Sequence, residues 1–388
     1  MSNRSPIFAT RPIGARLRAS VAVFAFLSAV TSFAAPYKPS SDTVLLELDV
    51  AQQQASATRR AANSTDPQAA VELAAKFVAL GRAQHDERYF GYASAALQPW
   101  SKDAQAPTPI LALRADIAQH QHRFADARII LDELVARDPQ NSGAWLMSAT
   151  LHMTQAQPQA AKHDCQRLFA LRESFAATIC LAHAASINGQ LPGSYRLVTT
   201  LLARLPVDDR SSKNVWALSV AADMAERSGD SAAAEQWLRK ALAVAPTDLV
   251  SRLQLCDLLL QRRRPTDVLA LLESQPVSEP ILLRRALAEK QIGGSVAALA
   301  AWQAAVERSA QLGVTLHLRE LARGQLELLG NPQLALQTAL KNWEIQREPV
   351  DARLLAQAGR AAGNRVAVEN VRNWQRELRF EDAGLATL

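Results

Sequence analysis

The chain reads as an all-α helical repeat solenoid, and three observations carry that reading. An alanine, or a residue standing in for it, recurs at intervals close to 34: Ala93, Ala127, Ala161, Ser194, Ala234, Val268, then Leu299, Ala335 and Val368. Twelve positions before most of these markers stands a second small residue, at Gly81, Ala115, Ala149, Ala182, Ala222, Cys256 and Ala356. Twelve positions after them proline is frequent, at Pro139, Pro206, Pro246 and Pro280. Self-similarity of this period marks stacked helix pairs. The small residues allow two helices to cross closely, and proline ends one unit and opens the next.

The start of the chain has a different character. Arg4, Arg11, Arg16 and Arg18 precede an apolar run from Ala19 to Val30, then Ser32-Phe33-Ala34 ahead of Ala35-Pro36, and no acidic residue occurs before Asp42. This is the layout of a secretory signal peptide over residues 1–34, with cleavage near Ala34. The apolar run is shorter than the ~20 residues of a spanning helix. With no cysteine at the cleavage site and no twin arginine, general secretion is the expected route. The formal charge of +6 belongs largely to this segment, since without its four arginines 39 basic residues face 37 acidic ones. A nucleic-acid partner is therefore not expected, nor a transmembrane segment after signal removal, and the expected location is periplasmic or secreted.

Residues 35–66 form a lead-in that does not fit the repeat, with a short apolar stretch at Val44 to Leu48. From residue 67 to 261, apolar residues at three and four spacing predict alternating helices and turns. One unit shows the logic: Leu218, Ala221, Ala222 and Ala225 share a helix face, Ser228-Gly229-Asp230 makes a turn, and Ala234, Leu238, Ala241 and Leu242 line the next helix before Pro246. Five positions before the marker the turn slot holds Gly189, Gly229, Gly294, Gly330 and Gly363, but Arg88, His122 and Ala156 in the early units. Residues 262–388 are less regular, because Leu299 follows Val268 by 31 and the small-residue slot holds Leu287 and then Arg323. The 40-residue step between Ser194 and Ala234 places an inserted polar loop at residues 206–214. A charged last helix, Asn364 to Phe380, suits a solubilising cap.

These residues resemble the tetratricopeptide repeat, a 34-residue helix-turn-helix unit. The matches are clearest at Phe77, Leu80, Gly81, Phe90, Ala93 and Leu97, at Ala115, Phe124, Ala127, Leu131 and Pro139, and at Ala222, Gly229, Ala234, Ala241 and Pro246. The resemblance covers about Gln68 to Phe380 and implies a right-handed superhelix of about nine degenerate units. It also implies a concave groove, lined by the first helix of each unit, that holds a segment of a partner protein. Carried over by position, the groove residues are Asp116, Gln119, His120, Thr150, Met153, His183, Ser186, Trp216, Asp223, Glu226, Arg227, Asp257 and Glu320.

Signatures of catalysis are missing: no phosphate loop, no His-Glu-x-x-His, no Gly-x-Ser-x-Gly, no Cys-x-x-Cys and no dinucleotide fingerprint occurs. The nearest approach to a metal set is Asp116, His120 and His122, with His122 in a predicted turn and no fourth ligand, so no metal and no cofactor is expected. His85, His152, His163, His183 and His317 are scattered and read as groove or surface residues, and Arg262-Arg263-Arg264 and Arg284-Arg285 as solvated charge. In an exported chain Cys165 and Cys180 are a candidate disulfide on adjacent helices, while Cys256 sits in a small-residue slot as a packed thiol. Trp145, Trp237, Trp302, Trp343 and Trp374 have core spacing. The function expected is a non-enzymatic interaction scaffold in the cell envelope. The alternatives are an accessory or chaperone subunit for polysaccharide or polypeptide export and, of another class, an enzyme whose active site in the groove lacks known motifs.

Overall fold

Nine consecutive helix pairs make up the residues that the computed structural model describes, 66–205, 211–294, 297–311 and 317–386. No strand occurs among them. The expected signal peptide, the lead-in up to residue 65 and residues 206–210 of the inserted loop lie outside the described residues. The pairs are α1 (Pro67–Gln84) with α2 (Arg88–Ala96), α3 (Thr108–His120) with α4 (Phe124–Arg137), and α5 (Ser142–Thr154) with α6 (Pro158–Ala170). Then come α7 (Ser174–Ser186) with α8 (Leu191–Leu202), α9 (Ser212–Arg227) with α10 (Ser231–Val244), and α11 (Leu249–Gln261) with α12 (Pro265–Leu272). The last three are α13 (Glu279–Gln291) with α14 (Ala297–Gln311), α15 (Leu318–Glu327) with α16 (Pro332–Ile345), and α17 (Pro349–Ala361) with α18 (Arg365–Leu378). A single turn, α19 (Ala383–Ala386), follows.

Helix starts are set locally. Asp66, Asn141, Asp230, Asp248, Asn331 and Asn364 cap α1, α5, α10, α11, α16 and α18 by accepting a first-turn amide. Proline occupies the first turn of α1, α6, α12, α13, α16 and α17, where its missing N–H costs nothing.

Within most units the turn follows one recipe. A residue at positive φ is followed by an N–H that reaches back five residues to the first helix, as at His122 (φ 54°) before Arg123 N–H to Ala118 O, or Gly229 (φ 83°) before Asp230 N–H to Ala225 O. His122 and Ala156 (φ 56°) adopt this conformation without being glycine.

Two irregularities in the sequence pattern have simple causes. In the seventh unit the positive φ is at Gly293 and not Gly294, and the buried marker is Ala298 and not Leu299. Moving the register back by one also puts Ala286, 3% exposed, in the small-residue slot assigned to Leu287. In the eighth unit the turn holds one extra residue, because Asn331 N–H reaches back six positions to Gln325 O. The slot therefore falls on the fully buried Ala322, and Arg323 is free to point elsewhere. In the first unit the positive φ is at His85, three residues before Arg88.

The other markers are buried as the period requires: Ala93, Ala127, Ala161, Ala234, Val268 and Ala335 are fully enclosed. Gly81 lies under Phe90 and Gly324 under Trp302, so close that an added Cβ would stand 2.6 Å and 2.2 Å from the rings. Cys165 on α6 and Cys180 on α7 are joined by a disulfide with Cα atoms 5.5 Å apart.

The array closes on itself. One hydrophobic core contains Trp145, Met153, Cys165, Ala177 and Ile187 from the third and fourth units together with Leu336, Leu355, Trp374 and Phe380 from the eighth and ninth. Polar contacts seal the same seam: Arg347 N–H donates to Thr154 O, Leu191 N–H donates to Glu381 Oε2, and Arg353 pairs with Glu226. The Arg227 guanidinium lies 5.2 Å from the Phe380 ring. The last helix is therefore not simply a solvated cap, since Val371 and Trp374 are buried in that core.

Candidate functional site

The closure leaves a cavity of about 2500 Å³. Its walls are α9, α11, α13, α15 and α17, and the turn after α1 and residues 120–122 also line it. Three side chains on this lining are large, apolar and solvent-facing: Val250 (60% exposed), Val277 (71%) and Val350 (39%). Scattered exposed apolar residues are normal on any surface. Three on one cavity lining give it exposed apolar contact points.

The polar part of the lining is mostly satisfied internally. Asp257 on α11 receives Arg284 from α13 at 2.7 Å and Arg323 from α15 at 2.5 Å, and Arg284 also pairs with Glu320 at 2.9 Å. Burial opposes ionisation of Asp257, but the two guanidinium groups hold its carboxyl below the usual carboxylate range. Burial likewise works against the charge on Arg284 and Arg323, and their carboxylate partners overcome it and raise both pKa values. Arg319 is held the same way by Asp351 and Glu348.

Glu279, at the start of α13, is the exception. Burial first, and Glu320 beside it second, push its carboxyl up to about 7, against a hydrogen bond from Ser309. Glu279 Oε1 and Glu320 Oε2 are both buried without a donor.

The residues selected from the sequence separate into three sets. Asp223, Glu226, Asp257, Glu320 and His120 line the cavity. Asp223 pairs with Arg227 at 2.9 Å and His120 with Glu87 at 2.9 Å, with the His120 ring stacked on Phe90. Met153, Ser186 and Arg227 are buried in the closure instead, Ser186 receiving Arg227 Nη2 at 2.6 Å, and His183 is half-buried with its Nδ1 enclosed and unpartnered. Trp216 is half-buried against the same core. Asp116 pairs with Arg82 at 2.6 Å, Gln119 donates to Met147 O, and the exposed Thr150 turns its hydroxyl back to Leu146 O. Asp116, His120 and His122 do not converge, and no group of three metal-ligating side chains occurs among the described residues.

Some expectations need correcting. Arg284 is not solvated charge but 4% exposed and doubly paired, whereas Arg262 and Arg263 are exposed as expected, with Arg262 and Arg264 pairing with Glu235 at the surface. His152 is no surface residue either, being 4% exposed with Nε2 3.6 Å from Asp164. Val250, Val277, Glu279, Arg323 and Arg353 were not selected by position. Val250 and Val277 stand outside the marker register, and Arg323 reaches the cavity only through the extra residue in its turn.

Nine helix pairs, with small residues at the crossings and a positive-φ turn inside most units, make the described residues an all-α helical repeat array. Its fold resembles that of tetratricopeptide repeats. No family model matches it, and no curated protein matches it in sequence. Solved structures similar to this array include a tetratricopeptide repeat protein from Parabacteroides merdae, at 13% identity over 74% of this chain and 99% of that one, with a TM-score of 0.35. Others are the human IFIT1 dimer with m7Gppp-AAAA, at 15% identity over 78% and 80% with a TM-score of 0.43, and yeast Tom70, at 10% over 86% and 88% with a TM-score of 0.26. No helix among the described residues is long and apolar enough to cross a membrane.

Proposed function

We propose that this chain is a non-enzymatic protein-interaction scaffold, exported to the cell envelope, that holds a segment of a partner protein in the cavity between α9, α11, α13 and α17. The observation that carries this reading is the cavity itself. It has room for an extended segment, its charges are largely paired within the chain, and Val250, Val277 and Val350 offer exposed apolar contacts there. A lining of this composition recognises backbone and apolar side chains more than a single formal charge. Export rests on the arrangement of Arg4 to Ala34 in the sequence.

A photo-reactive residue placed at Val250 or Val277 in the full-length protein, expressed in cells, tests the proposal. One discrete adduct that is absent when the probe stands at the outward-facing Ile129, 69% exposed, is the expected result. Val250→Asp should abolish the adduct formed from Val277 while leaving the helical content intact. Equal labelling from all three positions would remove the cavity from consideration as the binding site.

A further inference from the structure

The closure is fastened at one point by a chain of side chains whose proton positions are dictated from one end. Asp351, 2% exposed and ion-paired to Arg319, can only accept hydrogen bonds, so the Asn342 group facing it at 2.7 Å must be the amide nitrogen. Asn342 Oδ1 then faces Gln346, whose Nε2 donates to it at 3.0 Å, and Gln346 Oε1 is left pointing outward from this buried pair. That oxygen lies 3.1 Å from His122 Nδ1, which must therefore carry a proton. In a neutral ring His122 Nε2 is then the acceptor, and it faces His317 Nδ1 at 3.3 Å, which must be the donor.

The relay spans 224 residues from Gln346 to His122 and 195 from His317 to His122. It binds the turn after α3 to the start of α15 and the end of α16. Beside it, the Arg347 N–H donates to Thr154 O at 2.8 Å.

We propose that this relay is an acid-sensitive clasp: it joins the second unit to the eighth and ninth only while His122 is neutral, and protonation of His122 loosens the closure around the cavity. A second proton on His122 would sit on Nε2 and require His317 to shift its own proton from Nδ1 to Nε2, leaving a cation enclosed beside Arg319, and no rotation of Gln346 offers a replacement without breaking its bond to Asn342. The groups around the ring reinforce this. Burial first, then His317 and Arg319, and His120 more weakly, lower the His122 pKa to about 4 against the hydrogen bond to Gln346. Burial lowers His317 too, with Glu87 and Glu320 opposing and His120 and Arg319 adding to the effect. Burial opposes ionisation of the half-buried Glu87, but its hydrogen bond with His120 keeps its carboxyl low.

The sign follows. The folded-state pKa lies below the ordinary 6.5, so the clasp is at full strength above 6.5 and weakens as pH falls towards 4. Between pH 7 and pH 5, His122 alone shifts the opening equilibrium about twenty-fold.

The Arg347 amide reads this opening directly. Its hydrogen-exchange protection in the full-length protein, corrected for intrinsic rate, should fall at least about twenty-fold from pH 7 to pH 5. His122→Asn keeps a donor and an acceptor, suits a φ of +54° and cannot be charged in this range, so its fall should be smaller by about that factor. Flat protection in the native protein, or equal falls in the native protein and the variant, would overturn the proposal. Should the variant not fold, ring 15N spectra of the native protein at pH 7 decide instead. His122 carrying its proton on Nδ1 supports the relay, and an Nε2–H tautomer overturns it.

Discussion

Replacing a helical glycine by alanine ordinarily stabilises a protein by about 0.5–1 kcal/mol, because glycine loses more backbone freedom on folding. Gly324→Ala should do the opposite. Gly324 lies within α15, and a Cβ there would stand 2.2 Å and 2.3 Å from two ring carbons of Trp302, whose side chain is 1% exposed and cannot swing clear. Ordinary contact needs more than an ångström of additional separation, so α14 and α15 must move apart. Overpacking on this scale costs about 3 kcal/mol, and the helical gain of about 1 kcal/mol leaves a net loss of about 2 kcal/mol. Urea unfolding of the full chain, followed by tryptophan fluorescence and by far-ultraviolet circular dichroism, would measure it. The internal control is Gly91→Ala in α2, where nothing lies within 4 Å of the new Cβ, and a gain of up to about 1 kcal/mol is expected. Trp302→Phe makes room, so Gly324→Ala in that background should be close to neutral, giving a coupling of about 2 kcal/mol. If Gly324→Ala stabilises as Gly91→Ala does, the packing argument for the seventh and eighth units is wrong.

Three further outcomes follow from the geometry. Reduction, or Cys165→Ala with Cys180→Ala, should lower stability by about 3 kcal/mol, the value for a loop of 15 residues, and thiol titration of the oxidised protein should find one group, Cys256, reactive only after unfolding because burial raises its thiol to about 12. Arg353→Met leaves Asp382, whose side chain is fully buried, without its cation and cuts the tie to Glu226; a loss of about 3–5 kcal/mol should appear first as rapid proteolysis between Phe380 and Ala386. Burial chiefly, helped by Arg227 and opposed by Asp223, lowers His183 to about 4, so its share of stability is complete above pH 6.5 and is lost as pH falls towards 4, up to about 3 kcal/mol; His183→Gln should flatten the pH dependence of the unfolding midpoint in that window.

The repeat was legible because its rule is local. A marker such as Ala127 must be small since α3 and α4 cross there, and Ala115 twelve residues earlier must be small for the same crossing; neither requirement depends on the rest of the chain. Where the rule slipped, a segment had changed length: α12 has only 8 residues, so the seventh unit begins early, and the turn of the eighth unit holds one extra residue. The chain keeps Ala286, Gly293 and Ala298 in one register and Ala322 with Gly330 in another, and a fixed ruler laid from Val268 to Ala335 misses both. Arg323 thus looked like a bulky error in a packing slot, when it faces the cavity and binds Asp257.

The closure was not legible, because it depends on how many small rotations accumulate between units. Each unit contacts its neighbours through a local pattern, but whether the eighth unit returns to meet the third is a property of the sum. Gly189 shows the consequence. As a turn residue at φ +76° it needs no further explanation, but a Cβ on it would also strike the Arg379 side chain at 2.9 Å, so this glycine meets a local demand and a distant one together. The same double duty divides the positions chosen for a partner. Met153, Ser186 and Arg227 occupy the positions that a solenoid offers to a ligand, and here the chain's own last units occupy that face, while Asp223 and Glu226 on the same helix as Arg227, and Asp257 one unit further on, still line open space. Under the proposed function, a partner segment entering the cavity would meet a wall made partly of its host's own C-terminal helices. Arg353 stands at that boundary, holding Glu226 on the cavity side and Asp382 on the closed side, so under the proposed function binding and closure would share a residue and each would alter the other.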